Sequence, residues 1–136
     1  MLLGFEHVGM TVSTIDRAVA FYCDLLGLTL ALRKQVDRGE MAFFDTGSGM
    51  LELFAPDTKT VDRFRDVPHH EAGLRHITFA FSSVDEKFAE LEAAGIEVVE
   101  RPREAFNKEM IQRVAFVRDY DGILVELIEQ APARQG

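Results

Sequence analysis

Two glutamates lie where apolar strand residues are expected. Glu52 sits inside "GMLELFAP" (49–56) and Glu126 inside "ILVELIE" (123–129), each between aliphatic neighbours. A buried carboxylate without a partner is costly. Two histidines offer the complement: His7 opens "HVGMTV" and His76 opens "HITFAF". Strand alternation puts His7 opposite Val8, Met10 and Val12, and His76 opposite Ile77, Phe79 and Phe81. The same parity puts Glu52 opposite Leu51 and Leu53, and Glu126 opposite Ile123, Val125 and Leu127. All four side chains are thus expected on the face of their sheet away from a covering helix. If the two halves curl towards each other the four can converge, and two imidazoles and two carboxylates suit a divalent metal; a bound cation would account for both glutamates.

The elements that must position these residues occur twice. "HVGMTVSTIDRAVAFYCDLLGL" (from His7) matches "HITFAFSSVDEKFAELEAAGI" (from His76), and "AFFDTGSGMLELF" (from Ala42) matches "AFVRDYDGILVELI" (from Ala115). The order is His then Glu in each half, which reads as an internal duplication. Each half is expected to be a strand, a helix and three strands, over about 3–56 and 74–130, with a polar linker over about 57–73.

In the first half a strand is expected over Leu3–Val12. A helix capped by Ser13 or Thr14 follows, with Ile15, Ala18, Val19, Tyr22, Leu25 and Leu26 at helical spacing and Gly27 as its stop. A strand near Leu28–Arg33 then leads to a hairpin turning at Thr46–Gly49. In the second half a strand over Leu74–Phe81 precedes a helix that begins at Ser83, with Glu86 placed for a capping box, and ends at Gly95. Strands are expected near Glu97–Arg101, Ile111–Arg118 and Gly122–Glu129, and the tail Ala131–Gly136 is expected to fray.

A chain of 136 residues with 47% hydrophobic residues supports a single domain, 1–136, with a substantial core. Its net charge of -8 argues against nucleic acid or an anionic membrane as partner. No signal peptide and no apolar run of about 18 residues is read, so a cytoplasmic location is expected. The one cysteine, Cys23, falls in a helical pattern and is expected to be packed rather than a nucleophile. His69 and His70 lie in the polar linker and are not counted as ligands.

The motifs quoted above, with "RHITFAFSSVDEKFAELEAAGIEV" and "VAFVRDYDGILVELIE", resemble the vicinal oxygen chelate superfamily over almost the whole chain. That superfamily includes glyoxalase I, methylmalonyl-CoA epimerase, extradiol dioxygenases, and the fosfomycin and bleomycin resistance proteins. The resemblance implies an α+β fold of two βαβββ modules, forming curved mixed sheets around a metal-binding cleft. It also implies a homodimer, and ligands from the first and last strand of each module, here His7, Glu52, His76 and Glu126. The metal would be zinc, nickel, cobalt, manganese or iron, and it would bind a small substrate through vicinal oxygens or a thioester.

Glu52 discriminates among the chemistries. Extradiol dioxygenases leave the corresponding position open for their substrates, whereas isomerase-like members carry Glu or Gln there. The resemblance therefore implies a lyase or isomerase that moves a proton next to a carbonyl through an enediolate or enolate, with Glu52 or Glu126 as general base. Glyoxalase I typically has an Arg where this chain has Thr11, and often an Asn where it reads Ala55-Pro56. "LELFAP" is closer to methylmalonyl-CoA epimerase, which however has a Gly-rich loop where this chain reads "REAFNKEMIQ". Phe44, Phe54 and Phe106 are candidates to line the pocket, and Arg113 or Arg118 to hold an anionic group. The alternatives are a non-catalytic binding protein of the bleomycin-resistance type, or a dioxygenase-like member.

Overall fold

Exposure alternates residue by residue along the strand that carries Glu52, as its sequence dictates. In β4 (Met50–Pro56), Leu51, Leu53 and Ala55 are buried, while Met50, Glu52, Phe54 and Pro56 are half-buried. The computed structural model describes residues 1–58 and 65–135. The chain divides into two compact units, Met1–Asp62 and Arg63–Gly136.

In the first unit β1 (His7–Thr11) runs parallel to β4, and β3 (Gly39–Asp45) pairs antiparallel on β4's other side. The remaining strand, β2 (Thr29–Val36), pairs with β3 at the edge, giving the order β1-β4-β3-β2. The connection from β1 to β2 is helical. Thr14 caps α1 (Ile15–Ala18), its hydroxyl accepting from the Arg17 amide at 3.1 Å. The helix then widens into π turns over Val19–Leu25, where the Leu26 amide donates to the Phe21 carbonyl at 3.0 Å. That widening lets two consecutive aromatics, Phe21 and Tyr22, both bury fully, edge to face at 4.8 Å. Gly27 closes the helix with φ +96°. Beneath it the core holds Ile15, Phe44, Leu51 and Leu53.

The second unit repeats the topology as β5-β8-β7-β6, from β5 (Ile77–Ala80), β6 (Val98–Glu104), β7 (Ile111–Arg118) and β8 (Leu124–Gln130). Its helix α2 (Val84–Ala93) is capped by Ser83, whose hydroxyl accepts from the Glu86 amide at 3.2 Å. The free amide of Val84 donates to Glu129 Oε1 at 2.8 Å. Each unit is therefore a βαβββ module with one mixed four-stranded sheet that does not close into a barrel.

Several expected boundaries move. The first strand of each module is shorter than Leu3–Val12 and Leu74–Phe81, because it extends only as far as its ladder with the last strand. Leu2, Leu3, Phe5 and Leu74 are left exposed. Part of the expected linker, 59–64, lies outside the described residues, as does Gly136. The tail does not fray over its described part. Ala131 is 3% exposed, Pro132–Arg134 forms a 3₁₀ turn, and both the Ala131 amide and the Arg134 guanidinium donate to the Met110 carbonyl. Among the described residues no helix is long and apolar enough to cross a membrane.

Gly39 begins β3 with the Phe54 ring leaning over it. A Cβ there would meet the Ala55 carbonyl oxygen and lie 2.8 Å from Phe54 Cε1. Gly39→Ala must displace backbone or ring, and we expect it to lose about 1–3 kcal/mol of stability, as overpacking does. Urea denaturation checks this, and a midpoint equal to wild type would contradict it.

Candidate functional site

Glu52 occupies the middle of an inner strand, and its register partners are Gly9 on β1 and Phe43 on β3. Residues in register share a face, so His7, two before Gly9, lies on the same side as Glu52. His7 Nε2 is 4.0 Å from Glu52 Oε2. The ring's other nitrogen, Nδ1, is 2.7 Å from Glu6 Oε1. The Phe43 ring meets the imidazole edge-on at 5.7 Å and 76°. A Cβ at Gly9 would come 3.4 Å from Glu52 Oε1, so glycine leaves this carboxylate room to turn. His7 is, among the described residues, the polar side chain paired with Glu52.

The second unit builds the same group with one change. Glu126 is in register with Thr78 on β5 and with Phe116 on β7. Phe116 meets the His76 ring edge-on at 5.7 Å and 77°, and His76 Nδ1 is 3.8 Å from Glu126 Oε1. Where the first unit has Gly9, this one has Thr78. Its hydroxyl donates to Glu126 Oε1 at 2.7 Å and lies 3.1 Å from His76 Nδ1. The two carboxylates also differ in burial: the Glu126 side chain is 12% exposed, against 39% for Glu52. The expectation of two buried glutamates thus holds for Glu126, whose charge Thr78 helps to satisfy, and is corrected for Glu52, which is half-exposed within its unit.

The other sequence candidates separate by strand parity. Phe54 lies on the face of Glu52, two residues along. Phe44 does not; it is fully buried on the opposite face, in register with Leu51 and 6.3 Å from Tyr22. The aromatic on the site face is its neighbour Phe43, and the counterpart in the second unit is Phe116. The repeat carried the signal, since Phe43 and Phe116 both follow the alanine of the matched "AF" pairs. Arg113 also lies on the helix side, where Asp85 of α2 binds it through two contacts of 2.8 and 2.9 Å. Those hydrogen bonds hold its guanidinium above its usual basicity. Arg118 is likewise committed to Asp66, at 2.7 and 2.9 Å. Phe106 stands in the β6–β7 connection, 90% exposed, with the Arg103 guanidinium 4.4 Å over its ring. Burial, and then Asp24, pushes the Cys23 thiol up, away from the thiolate a nucleophile needs.

The donors fit a divalent metal in kind. Ligands on adjacent positions of a metal with bonds of about 2.0–2.2 Å stand roughly 3 Å apart. The 4.0 Å between His7 Nε2 and Glu52 Oε2 is about 1 Å wider than that. In the second unit Thr78 engages one oxygen of Glu126, leaving the other for a cation. Among the described residues, no group of three or more His, Cys, Asp or Glu is placed to hold a metal.

Comparison with known proteins follows the same lines. The family model of the Glyoxalase/Bleomycin resistance protein/Dioxygenase superfamily matches residues 4–127. Bacillus subtilis YqjC is 32% identical over 129 residues, covering 91% of this chain and 90% of its own length. A Synechocystis protein named a probable lactoylglutathione lyase is 28% identical, covering 90% of this chain and 92% of its own length. The crystal structure of SMU.1112c superposes with a TM-score of 0.79 at 28% identity, over 95% of this chain and all of that one. Paired βαβββ modules and a match over nearly the whole length place this chain in the glyoxalase/bleomycin resistance/dioxygenase, or vicinal oxygen chelate, superfamily.

Proposed function

We propose that the protein is a divalent-metal-dependent lyase or isomerase of the glyoxalase type, which moves a proton on the carbon next to a carbonyl. The observation that carries this reading is the duplicated His–Glu–Phe group: a carboxylate at the centre of an inner strand, an imidazole beside it on the parallel neighbour, and an aromatic edge against the imidazole. His7, Glu52, His76 and Glu126 together make the four-ligand set for one zinc, nickel, cobalt, manganese or iron ion, with the modules acting as one domain. The substrate is a small molecule with vicinal oxygens or a thioester, and the Synechocystis relative's name supports that class. The protein acts in the cytoplasm as a homodimer, whose interface would cover exposed apolar residues such as Leu30 and Leu32.

A bound divalent cation supplies Lewis acidity at the substrate carbonyl. The residues of the chain do the rest. Glu52 takes the α-proton and returns it to the neighbouring carbon or to the other face. Its half-exposed carboxylate and the space above Gly9 leave it free to turn towards a substrate carbon. Glu126 stays in place as an anchored ligand, because the Thr78 hydroxyl holds one of its oxygens. Phe43 and Phe54 supply apolar surface beside Glu52.

Three outcomes follow. Wild-type protein grown in metal-supplemented medium carries metal by elemental analysis, and His76→Ala loses it; a wild type that stays metal-free contradicts the reading and favours a binding protein. Glu52→Gln keeps its metal, and on a panel of glutathione hemithioacetals and acyl-CoA thioesters its α-proton exchange with deuterated water falls by about 10²–10⁴-fold, the contribution of a positioned base. Exchange at the wild-type rate in metal-loaded Glu52→Gln would remove Glu52 from that role. Light scattering at micromolar concentration gives twice the 15.3 kDa chain mass, and a monomer mass refutes the dimer.

A further inference from the structure

Each candidate histidine has a hydrogen-bonding partner at Nδ1, and the two partners are unrelated residue types. At His7 the partner is Glu6, whose Oε1 lies 2.7 Å from Nδ1. An ionised carboxylate only accepts, so Nδ1 must carry the proton in that hydrogen bond. At His76 the partner is Thr78, whose Oγ1 lies 3.1 Å from Nδ1. A hydroxyl has one proton to give, and Thr78 gives its own to Glu126 Oε1 at 2.7 Å. Towards His76 it therefore accepts, and Nδ1 again carries the proton. Both neutral rings are left with an unprotonated Nε2, the form in which imidazole coordinates a metal. In the first unit that nitrogen is the one 4.0 Å from Glu52, whereas in the second it is Nδ1 that lies 3.8 Å from Glu126, so Nε2 of His76 points past the Thr78-bound oxygen.

We propose that Glu6 and Thr78 are positioning residues that fix His7 and His76 in the Nδ1–H tautomer and so present both Nε2 lone pairs to the cation; the tautomers stand on geometry alone, while their use rests on the metal reading above. Thr78 has a second task, because the same hydroxyl orients Glu126. The sequence duplication therefore preserves an outcome rather than a residue. One module reaches it with the carboxylate preceding its histidine in the chain, the other with a hydroxyl two residues later on the strand. The ring cannot rotate without losing its acceptor, and the edge-on contacts of Phe43 and Phe116 restrict it further. Outer partners of this kind tune ligand basicity and orientation, and their loss commonly costs about 10–100-fold in metal affinity.

The test uses the whole chain, metal-free and ¹⁵N-labelled, at about pH 8. Long-range ¹H–¹⁵N spectra of the rings report which nitrogen is protonated, with His7→Gln and His76→Gln assigning the signals. We expect Nδ1–H for both, whereas His69 and His70, exposed in a turn, show the Nε2–H form that solvated imidazole prefers. Thr78→Val, nearly isosteric, should convert His76 alone, and Glu6→Ala should convert His7 alone. Titration with zinc alone should weaken about 10–100-fold in each, and Thr78→Ser should restore both the tautomer and the affinity. Nε2–H signals for His7 and His76 in the wild type would overturn the proposal. So would a His76 tautomer, or a zinc affinity, indifferent to Thr78→Val. A wild type that binds no zinc yet shows the expected tautomers would instead overturn the metal reading and leave the tautomer assignment standing.

Discussion

The candidate site depends on one pairing, the parallel contact between the first and last strand of each module. His7 and Glu52 are far apart in sequence, as are His76 and Glu126, and only the β1–β4 and β5–β8 ladders put each pair side by side. Parallel neighbours cannot be joined by a tight turn, so chain must cross over between them. In each module that crossover holds the helix and the other two strands. The helix buries one face of the sheet, through Phe21, Tyr22, Phe44 and Leu53 in the first unit. Because the side-chain period is two, burying that face assigns His and Glu to the other. Core packing and site construction are thus a single constraint. A register slip of one residue would bury Glu52 and expose Leu51 and Leu53.

Duplication supplies two His–Glu pairs, and divergence makes them unequal. The register position beside the glutamate is glycine in one module and threonine in the other. Glycine leaves Glu52 unrestrained and half-exposed; threonine ties Glu126 down in a buried setting, where an unpaired charge would be costly. The proposed activity, which must hold a cation and also move a proton, draws on both behaviours. Two modules that began alike can divide them by changing one side chain each.

Much of this is legible in the sequence, for identifiable reasons. The duplication, the helix caps at Thr14 and Ser83, the turn at Thr46–Gly49 and the parity of all four donors follow from period and turn chemistry. Phe44 was the wrong aromatic by one position, because the doublet "FF" offers both parities and only the pairing of Phe43 with Glu52 decides between them. Arg113 looks solvent-directed in a strand pattern, yet Asp85 on α2 takes it, a contact across 28 residues that no local rule finds. The π widening that buries both Phe21 and Tyr22 is likewise a packing outcome, since either residue alone suits an ordinary helix. Thr78 and Glu6 escape a sequence reading because their importance lies in which nitrogen they face.

The proposed function requires that both His–Glu pairs serve one cation. X-ray absorption on the nickel- or cobalt-loaded protein, combined with metal stoichiometry, tests it most directly. The account predicts an all-nitrogen-and-oxygen shell with two imidazoles per metal and about one metal per chain. A shell with a single imidazole and about two metals per chain would mean that each pair binds alone, and a sulfur ligand from Cys23 would place the metal elsewhere; either result contradicts it.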